Sequence, residues 1–271
     1  TGTLVFNSPL SGWNDVSKGM YYALVNQPSL MDTPGEWSVV SGATNILYLK
    51  SPTGSAPSGI ESPYLPGPLV EVQNKSYICF DGLEFTGAGY EWNSTQNRFV
   101  DWNSQNLYVR LCKDVSIFNC ISYHAENTGI FLASVTNGIV ANCIVRENHN
   151  GLTLSTSTNI LVENNDHGYN KEDTLRIYGA NINCRIHGNY IHHTATEGHS
   201  DAVQIAGTDN VLSTYPMYLD IRNNVVLGAG QSTMTSATMG NIWNNNMYYG
   251  CEAGMLKWGH GTSGYHDLIG N

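Results

Sequence analysis

Residues 130–166 read IFLASVTNGIVANCIVRENHNGLTLSTSTNILVENND. Two short alternating apolar runs open its halves, IFLAS at Ile130 and LTLST at Leu152, and each leads to an Asn-bearing signature, ANCI at 141–144 and ENND at 163–166. The same pair recurs outward in both directions. Apolar runs begin at Leu107 (LYVRL), Leu175 (LRIYG) and Val203 (VQIAG), with a weaker member near Ser232 (STMTS) and a last one at Met255 (MLKWG). The second signature returns as FNCI at 118–121, HGNY at 187–190, RNNV at 222–225 and NNNM at 244–247. Aligned this way, Asn119, Asn142, Asn164, Asn223 and Asn245 share one column, with Gly188 the exception. The next column holds Cys120, Cys143, Asn165, Asn189, Asn224 and Asn246.

Strict apolar alternation has period 2, not 3.6, and a unit of about 22 residues has no room for two helices. Each unit therefore supplies about three short strands around one turn of a solenoid. The expected fold is all-β, a right-handed parallel β-helix of about seven to eight coils. Coils stack at about 4.8 Å, and inward Leu, Ile and Val form one continuous core. Asn suits the column because it tolerates left-handed backbone at a bend, and stacked amides bond along the axis. An earlier coil starts at Leu69, where Phe80-Asp81-Gly82-Leu83 matches Phe118-Asn119-Cys120-Ile121, and 86–106 then forms a long lateral loop. Upstream, 35–52 reads as a β-hairpin followed by a Pro-rich link. The expected division is an N-terminal extension over 1–68 and the β-helix over 69–271. The ending LIGN resembles mid-coil sequence, so a longer solenoid is expected.

Composition narrows the function. Hydrophobic residues make up 41% of the 271 and charged residues only 13%, while 16 Tyr and 6 Trp argue against disorder. The net charge of −10 comes without a Lys/Arg cluster, which excludes a nucleic-acid surface. No apolar run reaches the roughly 20 residues of a membrane span. The six cysteines contain no CxxC pair, so buried thiols are expected rather than a zinc site or a disulfide scaffold. No signal-like stretch opens the chain, which reads as a mature or trimmed product, secreted or periplasmic and monomeric.

Chemistry on a stiff solenoid belongs to its lateral loops and outward strand faces. The loops DHGYNKEDT (166–174) and IHHTATEGHSDA (191–202) concentrate acids and histidines. Asp173 precedes Leu175 by the same step as Asp201 precedes Val203, so the two stack in adjacent coils, with Asn150 one coil below. Arg176 and Gln204 share an outward column. Paired carboxylates suit glycosidic cleavage, as acid plus nucleophile or acid plus base, and crowded like charge raises one carboxyl pKa. The catalytic candidates are Asp173, Asp201, His199 and Arg176. Substrate contacts are expected from Gln204, Tyr178, Glu197, His193 and Lys257, and outward rings at Tyr108, Phe131 and Tyr178 fit the C–H faces of sugars. Against this, an Asp beside a turn commonly caps the backbone, and Tyr on a sheet also simply favours strand. A metal held by His193, Glu197, His199 and Asp201 matches no spacing motif, and none is expected.

Across about 69–271 the repeats resemble the pectate-lyase-like superfamily of right-handed β-helices. The segment SLMDTPGEWSVVSGATNILYLKSPTG (29–54) looks like the "LDTPGEW…LY" part of large β-helix glycoside hydrolases, a group with galactosidase, fucosidase and xylanase activities. That resemblance implies a polysaccharide substrate, no cofactor and two acidic catalytic residues on the helix face, for which Asp173 and Asp201 are best placed. The Asn-Thr-Asp run and double Asp of polygalacturonases are missing, and Gly259-His260-Gly261 stands alone. A Ca²⁺-dependent lyase acting on uronates, with Arg176 or Lys171 as base, is the alternative. A glycan-binding solenoid without activity is a third.

Overall fold

The computed structural model describes residues 28–34, 37–40, 46–51, 54–55, 67–89, 91–93, 98–100, 104–194, 200–207, 214–252, 257–258 and 266–270. They fall in two compact units, 1–62 and 63–271. The first holds a 3-10 turn, Pro28–Leu30, and an antiparallel hairpin that pairs Trp37–Val40 with Ile46–Leu49. Lys50 Nζ donates to the Met31 carbonyl at 2.9 Å and ties the hairpin end to the segment before it.

The second unit is a parallel β-helix. One coil shows the plan: Asn150–Ser155 in a first sheet, Thr158–Glu163 in a second and Asp166–Gly168 in a third. The three sheets contain eight, eight and seven strands among the described residues, each strand hydrogen-bonded to its equivalents one coil away. Leu107, Ile130, Leu152, Leu175 and Val203 align in register in the first sheet, as the repeat spacing predicts, and the next member is Thr233, one residue beyond the expected Ser232. All but Thr233 belong to one continuous apolar core. The long loop contains a small antiparallel ribbon, Glu91–Asn93 against Arg98–Val100.

The corners explain the Asn columns. Asn119, Asn142, Asn164, Asn223 and Asn245 all have φ between 52° and 58°, and Gly188 has φ 64°, the left-handed bend for which Asn and Gly are suited. The adjoining column points inward and replaces backbone partners that a corner cannot supply. Asn165 Oδ1 accepts from Cys143 N–H at 2.8 Å, and Asn189 Oδ1 accepts from Asn165 N–H at 3.1 Å. Asn224 and Asn246 continue the ladder at 2.9 and 3.0 Å. Where cysteine takes the column, as at Cys120 and Cys143, the thiol donates to a carbonyl instead. Cys112, Cys120, Cys143 and Cys184 are buried free thiols, Cys251 is half-buried and Cys79 is exposed.

Polar residues interrupt the inward columns in places, and His167 is a titratable one among them. In the third sheet Ser122, Val145, His167 and Ile191 stack in register, and His167 is fully buried with no hydrogen-bond partner on either ring nitrogen among the described residues. Burial pushes its imidazole down to about 4, against a smaller opposing pull from Asp166.

Candidate active site

At the entry to the first sheet the column Gln105, Thr128, Asn150, Asp173, Asp201, Gln231 runs along the axis. Asn150 Oδ1 accepts from Asp173 N–H at 3.2 Å, and Asp173 Oδ1 accepts from Asp201 N–H at 3.3 Å. The two acids therefore occupy equivalent places in adjacent coils. Gly151 permits the close approach below them: a Cβ there would lie 2.2 Å from the Thr174 carbonyl oxygen. Asp173 and Asp201 are covered, at 2% and 1% exposure. Burial pushes the Asp173 carboxyl up to about 7; Arg176 pulls it down, and Asp201 and Glu172 push it further up.

The outward neighbours lie over this pair. Arg176 Nε is 3.6 Å from Asp173 Oδ2, and Gln204 Nε2 donates to Asp201 Oδ2 at 3.3 Å. Thr153, Arg176, Gln204, Met234 and Lys257 share one outward column. Tyr178 stands in the next, its ring 5.1 Å from the Arg176 guanidinium carbon, and Tyr108 and Phe131 stack further along at 5.1 Å. Glu197 and His199 lie outside the described residues, and Lys257 is placed by its backbone alone.

His193 is elsewhere. It follows the third-sheet strand Tyr190–His192, where its ring stacks on Tyr169 at 4.9 Å, within a second cluster that the loop reading did not assemble. Arg146 Nε donates to Asp166 Oδ1 at 3.0 Å, and Arg146 Nη2 pairs with Oδ2. His192 Nε2 lies 2.8 Å from Asp166 Oδ1, and the Nδ1 atoms of His192 and His193 are 2.8 Å apart. A carboxylate only accepts, so His192 donates from Nε2 and, as the neutral ring that its lowered pKa favours, accepts a hydrogen bond from His193 at Nδ1. Burial opposes ionisation of Asp166, but Arg146 and His192 outweigh it and hold the carboxyl below its usual value. Burial lowers His192 despite Asp166. The ring of His192 lies over Gly168, where a Cβ would come within 2.3 Å of Cε1. The third-sheet register would have exposed this group: Gly168 aligns with His192, and Asp166 with Tyr190.

The match to known proteins settles the hand of the solenoid. The family model for the right-handed β-helix region covers residues 81–263, about two thirds of the chain. The chain belongs to that family. No curated protein matches this right-handed β-helix in sequence. Among solved structures it is similar to the A-module of the mannuronan C-5 epimerase AlgE6 of Azotobacter vinelandii, at 17% identity and a TM-score of 0.51, over 73% of this chain and 55% of that one. It is also similar to the AlgE4 A-module of the same organism, at 17% identity and a TM-score of 0.43, over 59% and 54%. The periplasmic alginate epimerase AlgG gives 12% identity and a TM-score of 0.44, over 74% and 45%. The chain thus spans about half the length of the solved structures it matches, and at these identities the likeness is one of fold.

Proposed function

We propose that this β-helix cleaves a polysaccharide as a glycoside hydrolase, with Asp173 as proton donor and Asp201 as partner carboxylate. The observation that carries the reading is the 3.3 Å bond from Asp201 N–H to Asp173 Oδ1, which sets two acids in register on neighbouring coils. Burial keeps the Asp173 proton to about pH 7, where a general acid must still hold one. Asp173 gives that proton to the glycosidic oxygen as the bond to the leaving sugar breaks. Adjacent coils start the two side chains about 4.8 Å apart at the backbone, from which diverging carboxyls suit either route at the oxocarbenium-like carbon: Asp201 as nucleophile, with water later releasing the sugar, or Asp201 as base for the attacking water.

Substrate reaches the acids by replacing the loose contacts of Arg176 and Gln204, at 3.6 and 3.3 Å, with contacts to sugar hydroxyls. Tyr178 flanks that point for a neighbouring sugar, and Lys257, His199 and Glu197 remain site candidates on the sequence reading alone. The PGEW resemblance supports hydrolysis over elimination. Incubation with xylan, galactan, fucoidan, pectin and alginate tests this. New reducing ends should appear on at least one polymer without absorbance from a C=C bond, and Asp201→Asn should remove them. An unsaturated product lost on chelation would instead favour a Ca²⁺-dependent lyase with Arg176 as base. Full activity in Asp201→Asn would remove the assignment.

A further inference from the structure

The outer face of the second sheet carries a groove of about 560 Å³. A second, of about 380 Å³, continues it, and Asn159 and Arg185 line both. Neither groove contains a residue of the acid pair. Along them runs a column that enters the second-sheet strands in register: Tyr77, Asp114, Asn137, Asn159, Asn183 and Tyr218. All six have left-handed backbone, with φ between 53° and 59°.

The middle of the column is an amide ladder. Asn137 Nδ2 donates to Asp114 Oδ1 at 3.1 Å, and Asn159 Nδ2 donates to Asn137 Oδ1 at 3.2 Å. Each amide keeps a second N–H and further lone-pair capacity for a ligand. Asp and Asn are residues that left-handed backbone tolerates, so their presence has a local explanation. Left-handed corners elsewhere also carry bulky, exposed residues, such as Leu111 and Tyr169, so what marks Tyr77 and Tyr218 is their place: both rings line the grooves and stay open to solvent, at 83% and 58% exposure. Tyr218 is also seated: a Cβ on Gly240 in the next coil would lie 3.0 Å from its Cδ1, so the ring rests on bare backbone.

We propose that this groove is a second glycan-binding site, which holds an extended, uncharged oligosaccharide along the solenoid axis. Hydroxyls bond to the ladder amides, and sugar C–H faces stack on the two rings at its ends. The charges fit that occupant. Among the described residues Arg185 is the one cation lining the grooves, against Asp114 and Asp220, a balance that does not select a polyanion. Ile78, Ile139 and Leu161 add apolar wall to the groove, which sugar C–H faces can cover as the rings do. A polymer held here stays on the molecule while another stretch of it lies along the first sheet. The site goes beyond the hydrolytic reading and does not depend on it.

Affinity electrophoresis in gels containing xylan, β-1,4-galactan or β-mannan tests the proposal. Asp201→Asn is run as the non-hydrolysing background, with and without the pair Tyr77→Asn and Tyr218→Asn. The expected result is retardation by at least one polymer, weakened at least tenfold by the tyrosine replacements. Asn fits the left-handed positions, so Tm should hold or rise. Unchanged retardation in the tyrosine variant overturns the site, as does migration unaffected by all three polymers. A fall in Tm together with lost binding overturns it too, since the rings would then serve the fold. Failure of the hydrolase reading would appear as absent turnover in the wild type and leaves this readout intact.

Discussion

Replacing Asp173 with Asn is expected to stabilise the protein at pH 8 while lowering turnover by on the order of 10³-fold. The stability half follows from linkage. The folded-state carboxyl titrates at about 7, above the ordinary 3.8, so both states are protonated in strong acid and Asp173 then has no effect. As pH rises from 3.8 through 7 the unfolded chain ionises first, and stability is lost at about 1.4 kcal/mol per pH unit. Above pH 7 the accumulated cost reaches about 4 kcal/mol. Asn has no charge to desolvate. It also extends the pattern of Asn150 below it, keeping an oxygen for the Asp201 N–H and a backbone N–H for Asn150 Oδ1. Denaturant unfolding at pH 8 and pH 4 should show a gain at the first and little at the second. A residue whose neutral isostere improves the fold and removes activity is kept for chemistry. Loss of stability at pH 8 in the Asn variant would mean that the carboxylate serves the fold.

His167→Leu should stabilise the protein and unmask the rise in stability on acidification that comes from Asp173. Leu restores an apolar column between Val145 and Ile191 and removes two buried nitrogens that lack partners among the described residues, worth about 1–3 kcal/mol at neutral pH. A second gain appears below it. The folded imidazole titrates at about 4 and the unfolded one at 6.5, so falling pH protonates the unfolded chain first. Stability from this group is lost between pH 6.5 and 4, in total on the order of 3 kcal/mol. The slope is opposite in sign to that of Asp173 over the same window, so the wild type hides both and each single variant unmasks the other. Urea midpoints at pH 7.5 and 4.5 check it. A Leu variant with the wild-type pH dependence would show that the ring is not buried as described.

The fold was readable because a β-helix writes its geometry as a period. The Asn column at 119, 142, 164, 223 and 245 marks one corner in every coil, and all five have the left-handed backbone that favours Asn. The same period put Asp173 and Asp201 in adjacent coils. It did not tell that both are covered, because cover comes from the outward neighbours and the next coil rather than from spacing. Other corners left no mark: Leu111, His124, Glu147 and Tyr169 are equally left-handed, with side chains of no common type. The third-sheet cluster of Arg146, Asp166, His192 and His193 stayed hidden for a related reason. Its strands are three residues long, too short for alternation to announce a face, and the seat for His192 is an absence, the missing side chain of Gly168.

The proton on Asp173 is open to direct observation. A ¹³C NMR titration of aspartate side-chain carboxyls, assigned through Asp173→Asn, should show its midpoint near 7, and Asp201→Asn should move it downward by removing a neighbouring negative charge. A midpoint near 4 that ignores position 201 would contradict the account: the two acids would then be ordinary carboxylates that happen to lie in one column.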